Sequence, residues 1–249
     1  MASSTSPTAL HAARAFTSDA ADLAVCIDPQ RLVDSIDTLL SRCLQGDGDA
    51  LQVRSWPVAR RLDGLIRIRL AGGVTMETIA LRCPECNEDF EIRLDLAASR
   101  PNEMPERIAF DVDGERFEAR CPTGEDHARW LAERPSERAV AASLLDGETE
   151  PNEALVAALD AALASYDPAR ELPVSTQCPA CEAAIETVIA LETRLLQAFA
   201  AEQRSWLREI AALAQSYPWS EAEIAAMPAW RRRFYLARAA NANTEGFVR

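Results

Sequence analysis

The 249-residue sequence contains no lysine; all 26 of its basic residues are arginine. That absence excludes a P-loop lysine over nucleotide phosphates, a Schiff-base amine and a kinase-type lysine. Histidine is nearly as scarce, with only His11 and His127, and no Gly-x-Ser-x-Gly stretch occurs. The common hydrolase constellations therefore have little to stand on, and a non-enzymatic protein is expected. No apolar run approaches the roughly 18 residues that a membrane span needs. The opening MASSTSPTALHAARAF has no basic start leading into an apolar run, so no secretory signal is expected. A cytoplasmic protein without a membrane partner is the resulting expectation.

What is abundant is negative charge. The formal net charge is −13, so the average surface repels a duplex or an anionic membrane, which counts against a dedicated nucleic-acid binder. Hydrophobic residues make up 48% of the chain, enough to bury a full core.

Seven cysteines are present, at 26, 43, 83, 86, 121, 178 and 181. Four fall into two matched turns, CPEC (Cys83, Cys86) and CPAC (Cys178, Cys181). Two intervening residues let both sulfurs of a turn face one ion, and two such turns complete a four-sulfur shell, the usual closed structural zinc site. The turns are separated by 91 residues, so the site would clasp distant parts of the chain around an insertion. A redox pair is one competing reading of a CPxC turn, although NEDFEIRLDL after the first turn alternates like a strand rather than starting a helix. A four-cysteine cluster that holds no metal is the other. Cys26 and Cys43 are expected to be buried helix thiols. Cys121 is likewise expected to be an ordinary thiol, with a fifth-ligand role beside the nearby His127 as the alternative.

The pattern along the chain predicts an α+β fold: β-hairpins around a split four-cysteine knuckle, with a helical N-terminal segment and a long-helix C-terminal region. Residues 1–18 suggest a disordered tail, 19–60 a helical segment, 61–190 a knuckle-bearing β-rich core with a helical insertion, and 191–249 a helical region. Asp28 and Pro29 open a helix with Leu32, Ile36, Leu39, Leu40 and Cys43 on its apolar face, ending at Gly46 and Gly48. DGLIRIRLAGG, ETIALRC and FEIRLDL alternate as strands, and Asp113-Gly114 marks a hairpin turn. Thr123 caps a helix. LPVSTQ returns as a strand to the second knuckle. From Leu191 to Tyr217 runs the longest predicted helix, with Leu196, Phe199, Gln203, Trp206, Ile210, Leu213 and Tyr217 forming a seam that packs on the protein's own helices or, alternatively, mediates self-association.

The closing text is the most distinctive: LREIAALAQSYPWSEAEIAAMPAWRRRFYLARAA. Ser220 and Glu223 form a capping box, and Met227-Pro228 separates that short helix from a last one carrying Trp230, Phe234 and Tyr235 beside three consecutive arginines. Trp219, Trp230 and Tyr235 are expected to gather around the Ser220 turn, leaving Arg231 and Arg232 partly exposed.

This segment resembles the C-terminus of the baseplate hub assembly proteins and chaperones of T-even-type contractile phage tails and related contractile injection systems. The resemblance lies in Leu213, Ala214, Tyr217, Trp219, Ser220, Glu221, Glu223, Ile224, Met227, Pro228, Arg231, Arg232, Tyr235 and Leu236, with Pro218 where a glycine is usual. The paired CPxC turns and the Pro-Thr-Gly-x-Asp segment at 122–126 follow the same order. The resemblance implies a chaperone or baseplate component that binds a hub, spike or tape-measure protein, with structural zinc and with Tyr217, Trp219, Ser220, Glu223, Trp230, Arg231, Arg232 and Tyr235 toward its partner. The alternative is a zinc-ribbon regulatory protein binding nucleic acid through the Arg231–Arg233 helix.

Overall fold

The computed structural model describes residues 12–45, 52–101, 105–146, 150–166 and 171–245. Its order is α1 (Ala20–Leu23), α2 (Leu32–Cys43), α3 (Val58–Ala71), β1 (Met76–Arg82), β2 (Asp89–Asp95), β3 (Arg107–Val112), β4 (Glu115–Arg120), α4 (Gly124–Glu133), α5 (Glu137–Leu144), α6 (Glu153–Tyr166), β5 (Leu172–Gln177), β6 (Ala184–Ile189), α7 (Leu191–Ser216), α8 (Glu221–Ala225) and α9 (Ala229–Glu245). The fold is α+β, and among the described residues its sheets are three separate antiparallel hairpins: β1–β2, β3–β4 and β5–β6. No described helix is long and apolar enough to cross a membrane.

The main core is helical. Ile36, Leu39 and Leu40 of α2 meet Leu62, Leu65 and Ile66 of α3 and Leu195, Leu196 and Phe199 of α7. Gly64 permits the α2–α3 approach, since a Cβ there would sit 2.5 Å from Leu40 Cδ2. Asp28 caps the 3-10 turn Pro29–Arg31 that leads into α2, accepting from the Gln30 amide at 2.9 Å. The glycines expected to end α2 lie outside the described residues.

Two expectations are overturned here. The DGLIRIRLAGG stretch is not a strand but the body of α3. Ile66, Ile68 and Leu70 do alternate with Arg67 and Arg69, yet Val58, Leu62, Leu65 and Ile66 also keep helical spacing, and that face is the one buried. Ion pairs favour the helix: Arg67 reaches Asp63 one turn back at 3.9 Å, and Arg69 reaches Glu202 on α7 at 2.8 Å. Residues 12–18, assigned to a tail, are packed. Phe16 is buried against Phe199 and Trp206, and Arg14 forks onto the buried Asp22 carboxylate at 2.7 and 2.8 Å.

The insertion has its own apolar cluster, in which Ile108, Phe110 and Ala119 of β3–β4 pack on Leu144 of α5 and on Leu155 and Leu159 of α6. Its turn has positive φ at Asp113 (52°) and Gly114 (84°), as an Asp-Gly hairpin requires. Thr123 caps α4 in a reciprocal box with Asp126, whose carboxylate also takes Arg120 and Arg129. Burial pushes the Asp126 carboxyl up, but the Arg120 guanidinium and the Thr123 amide and hydroxyl outweigh it and hold it at about 2.

Candidate metal centre and C-terminal surface

The two cysteine turns sit at the tips of hairpins β1–β2 and β5–β6 and share one backbone design. After Arg82 pairs with Asp89, the Cys83 amide donates to the Glu88 carbonyl at 2.9 Å and the Asn87 amide donates back to the Cys83 carbonyl at 3.0 Å. After Gln177 pairs with Ala184, the Cys178 amide donates to Ala183 at 2.9 Å and the Glu182 amide to Cys178 at 2.9 Å. Asn87 and Glu182 occupy the same place in their turns, and each has φ of 60°. That left-handed conformation suits asparagine better than glutamate. Neither pair opens a helix, so the local geometry lacks the strand-to-helix turn of a thioredoxin-like redox pair.

The hairpin tips meet. The four sulfurs lie within 4.8 Å of one another, with Cys83 and Cys181 at 3.6 Å and Cys86 and Cys178 at 3.7 Å. The cysteines are free thiols rather than disulfides. Each turn contributes one buried and one exposed residue: Cys83 and Cys178 are each 1% exposed, while Cys86 and Cys181 face solvent. The amide of Cys86 points at the Cys83 sulfur and, with the Glu85 amide, holds that thiol down at about 7 against the effect of burial. At Cys86 the Glu88 amide pulls the same way, but the surrounding thiols of Cys181, Cys83 and Cys178 prevail and push it up. Four sulfurs this close resist ionising together unless a cation shares the cluster, and four thiolates could bind a metal ion. Among the described residues this is the one such group of three or more potential ligands; Cys121 and His127, considered as additional donors, are outside it. Cys26 is exposed between α1 and the 3-10 turn rather than buried on a helix. Cys43 is buried in α2 as expected, and burial pushes its thiol up to about 11.

The seam of α7 is occupied within the chain. Leu196, Phe199, Ile210 and Leu213 are buried, and so is Gln203. The Gln203 amide group donates to the Val25 carbonyl at 2.6 Å, and its oxygen accepts from the Ile27 amide at 3.1 Å. The polar member of the seam is thus a buried side chain with both ends satisfied, stitching α7 to the N-terminal segment.

Beyond α7, the expected capping box forms. Ser220 Oγ accepts from the Glu223 amide at 3.3 Å, and the Glu223 carboxylate accepts from the Ser220 amide at 2.8 Å. Tyr217 stacks on Trp219 at 4.4 Å, and Tyr235 meets Trp219 edge-on at 4.7 Å. This trio covers Ile210, Leu213 and Ile224. Trp230, expected in the cluster, is instead 71% exposed, and Tyr217 takes that place. Trp230 precedes Tyr235 by five residues, which turns it to another face; Arg231 and Arg232, four and three residues before Tyr235, flank it on opposite sides, and Arg232 lies on the side that meets Glu209 of α7.

Arg232 is accordingly buried at 2% exposure, contrary to its expected partial exposure. Its guanidinium donates to the Met227 carbonyl at 2.5 Å and to Ser18 Oγ at 2.7 Å, and lies 3.5 Å from Glu209. Arg231 stays exposed, with its guanidinium 5.7 Å from the Tyr235 ring. Phe234, one turn after Trp230 and 59% exposed, is a surface aromatic outside the residues expected to face a partner. Its i,i+4 relation to Trp230 was the available signal. No family model, curated protein or solved structure matches the chain.

Proposed function

We propose that the protein is a non-enzymatic assembly factor whose four cysteines hold one structural zinc ion. Its C-terminal helices would bind a hub, spike or tape-measure component of a contractile tail or injection system. The four-sulfur cluster supports the metal part. Sulfurs about 2.3 Å from a zinc at the centre of a tetrahedron lie roughly 3.8 Å apart, and two inter-hairpin pairs here are at 3.6 and 3.7 Å. Cys83, Cys86, Cys178 and Cys181 would hold the ion. A shell closed by four thiolates leaves no position for substrate, so the ion would supply folding energy rather than catalysis.

The observation that carries the partner reading is the closing stretch at 206–236, with its resemblance to hub assembly proteins. Within it, Tyr217, Trp219, Arg232 and Tyr235 brace the fold, Ser220 and Glu223 cap each other at the surface, and Trp230 and Arg231 project from the last helix toward a partner. The nucleic-acid alternative loses ground, because Arg232 points inward and the chain carries −13. The test is co-purification from cells carrying the protein's native gene neighbourhood, with the wild-type chain beside an Arg231→Glu/Arg233→Glu variant, which leaves the buried Arg232 intact. A tail-type hub, spike or tape-measure protein should accompany the wild type and be lost, with particle assembly, in the variant. Recovery of none of these with the wild type overturns the reading.

A further inference from the structure

The exposed face of α9 brings together aromatic and basic side chains that project largely into solvent, although Phe234 and Arg231 each also touch the Tyr235 ring. Trp230 and Phe234 are 71% and 59% exposed and lie one turn apart, forming an aromatic ridge. Arg231, Arg233 and Arg238 are exposed on the same helix, and residues 229–240 contain no Asp or Glu. Among the described residues, the ion pair at this helix is that of the inward-facing Arg232 with Glu209. A locally basic, aromatic helix thus projects from a chain of net charge −13.

We propose that this face docks an acidic amphipathic helix of another protein, one that lays apolar side chains on Trp230 and Phe234 and carboxylates on the flanking arginines. The inference rests on the chain being a partner-binding factor, but not on which particle the partner belongs to. Charge complementarity selects the occupant. Planar guanidiniums match carboxylates in two-pronged hydrogen bonds, and Trp and Arg are the residue types that dominate binding energy at protein interfaces. A second copy laid helix to helix would set arginine against arginine. Polyanionic duplexes and anionic bilayers would meet the acidic body as well as this helix.

The test is a selection of random-sequence helical peptides displayed on yeast, using the full chain as bait and the Arg231→Glu/Arg233→Glu variant as counter-bait. Enriched peptides should be acidic, with apolar residues three or four apart. Synthetic copies should lose at least about tenfold in affinity against Trp230→Ala and against the double variant, and should bind more weakly as salt rises. Unchanged circular dichroism in these surface variants separates lost binding from lost folding. Enrichment of neutral or basic peptides, or affinity indifferent to Trp230→Ala, overturns the proposal. So does wild-type binding to phosphatidylglycerol vesicles or duplex DNA, or self-association in sedimentation, that the double variant abolishes. If acidic peptides dock here while no tail-type protein co-purifies, this surface stands and the assembly-factor reading falls. Co-purification with indifference to acidic peptides gives the reverse.

Discussion

The helical core and the cysteine clasp hold distant parts of one chain together by opposite means. The core unites α2, α3 and α7 through a large set of buried aliphatic side chains. The clasp unites β1–β2 and β5–β6 through four sulfurs, with Ile185, among the described residues, buried beside them and Phe90 and Ala183 partly so. Apolar burial is non-directional and spread over many contacts, so it tolerates the loss of one member. A four-ligand site is directional and concentrated, and removing one ligand forfeits most of its binding. The lesson is that the two regions should fail separately.

The largest effect is expected from emptying the clasp. Under the zinc proposal, Cys178→Ser, or a strong chelator, should remove one metal ion per chain by elemental analysis, and should expose amides of β1–β2 and β5–β6 to hydrogen exchange. The α2–α3–α7 core should keep its protection. Full-length unfolding in one step with metal loss would erase the distinction between the two regions; metal content well below one per wild-type chain would remove the metal altogether.

The reciprocal change is Phe199→Ala, which opens the core beneath Phe16 and Arg69. It should cost roughly 3–5 kcal/mol in denaturant unfolding while leaving metal stoichiometry unchanged. Coupled loss of metal in this variant would show that core and clasp are one cooperative unit.

A smaller, pH-dependent effect sharpens the comparison at the insertion. The Asp126 carboxyl is held at about 2, below the ordinary 3.8. A depressed carboxylate contributes stability that is complete above the unfolded value and is lost as pH falls toward the folded one. The wild type should exceed Asp126→Asn in stability by up to about 2 kcal/mol above pH ~4, with the gap closing as pH falls to about 2. Paired urea melts across that range check it. A gap that persists at the acid end would mean that shape, not charge, is what the side chain contributes.

Local chemistry explains which parts of this molecule could be foreseen. A CPxC turn, an Asp-Gly hairpin and a Ser-x-x-Glu capping box are each complete within a few residues, and all were legible. That the two cysteine turns meet was legible too, because neither can complete a metal shell alone. α3 was misassigned because its Ile66–Leu70 alternation satisfies period two. What favours the helix is partly remote: the partner of Arg69 on α7 lies 133 residues away. Phe16 likewise looks like a tail residue until Phe199 and Trp206 are brought beside it. On the last helix, residue types suggested a surface, but which arginine faces solvent depended on which side of Tyr235 meets α7, and that contact placed Arg232 inside against Glu209 and Trp230 outside.

The position of the clasp also decides how the molecule would bear tension. The sulfurs join the chain just after β1 to the chain just after β5, so residues 87–177 hang from that junction as a side loop. Once a metal links the sulfurs, a pull applied at the two ends runs through α2, α3 and β1, crosses at the cluster, and leaves through β6 and α7. The β3–β4 hairpin with α5 and α6 is thereby shielded from load, and the metal–thiolate bonds become the mechanical fuse that must part before that insertion can be drawn out.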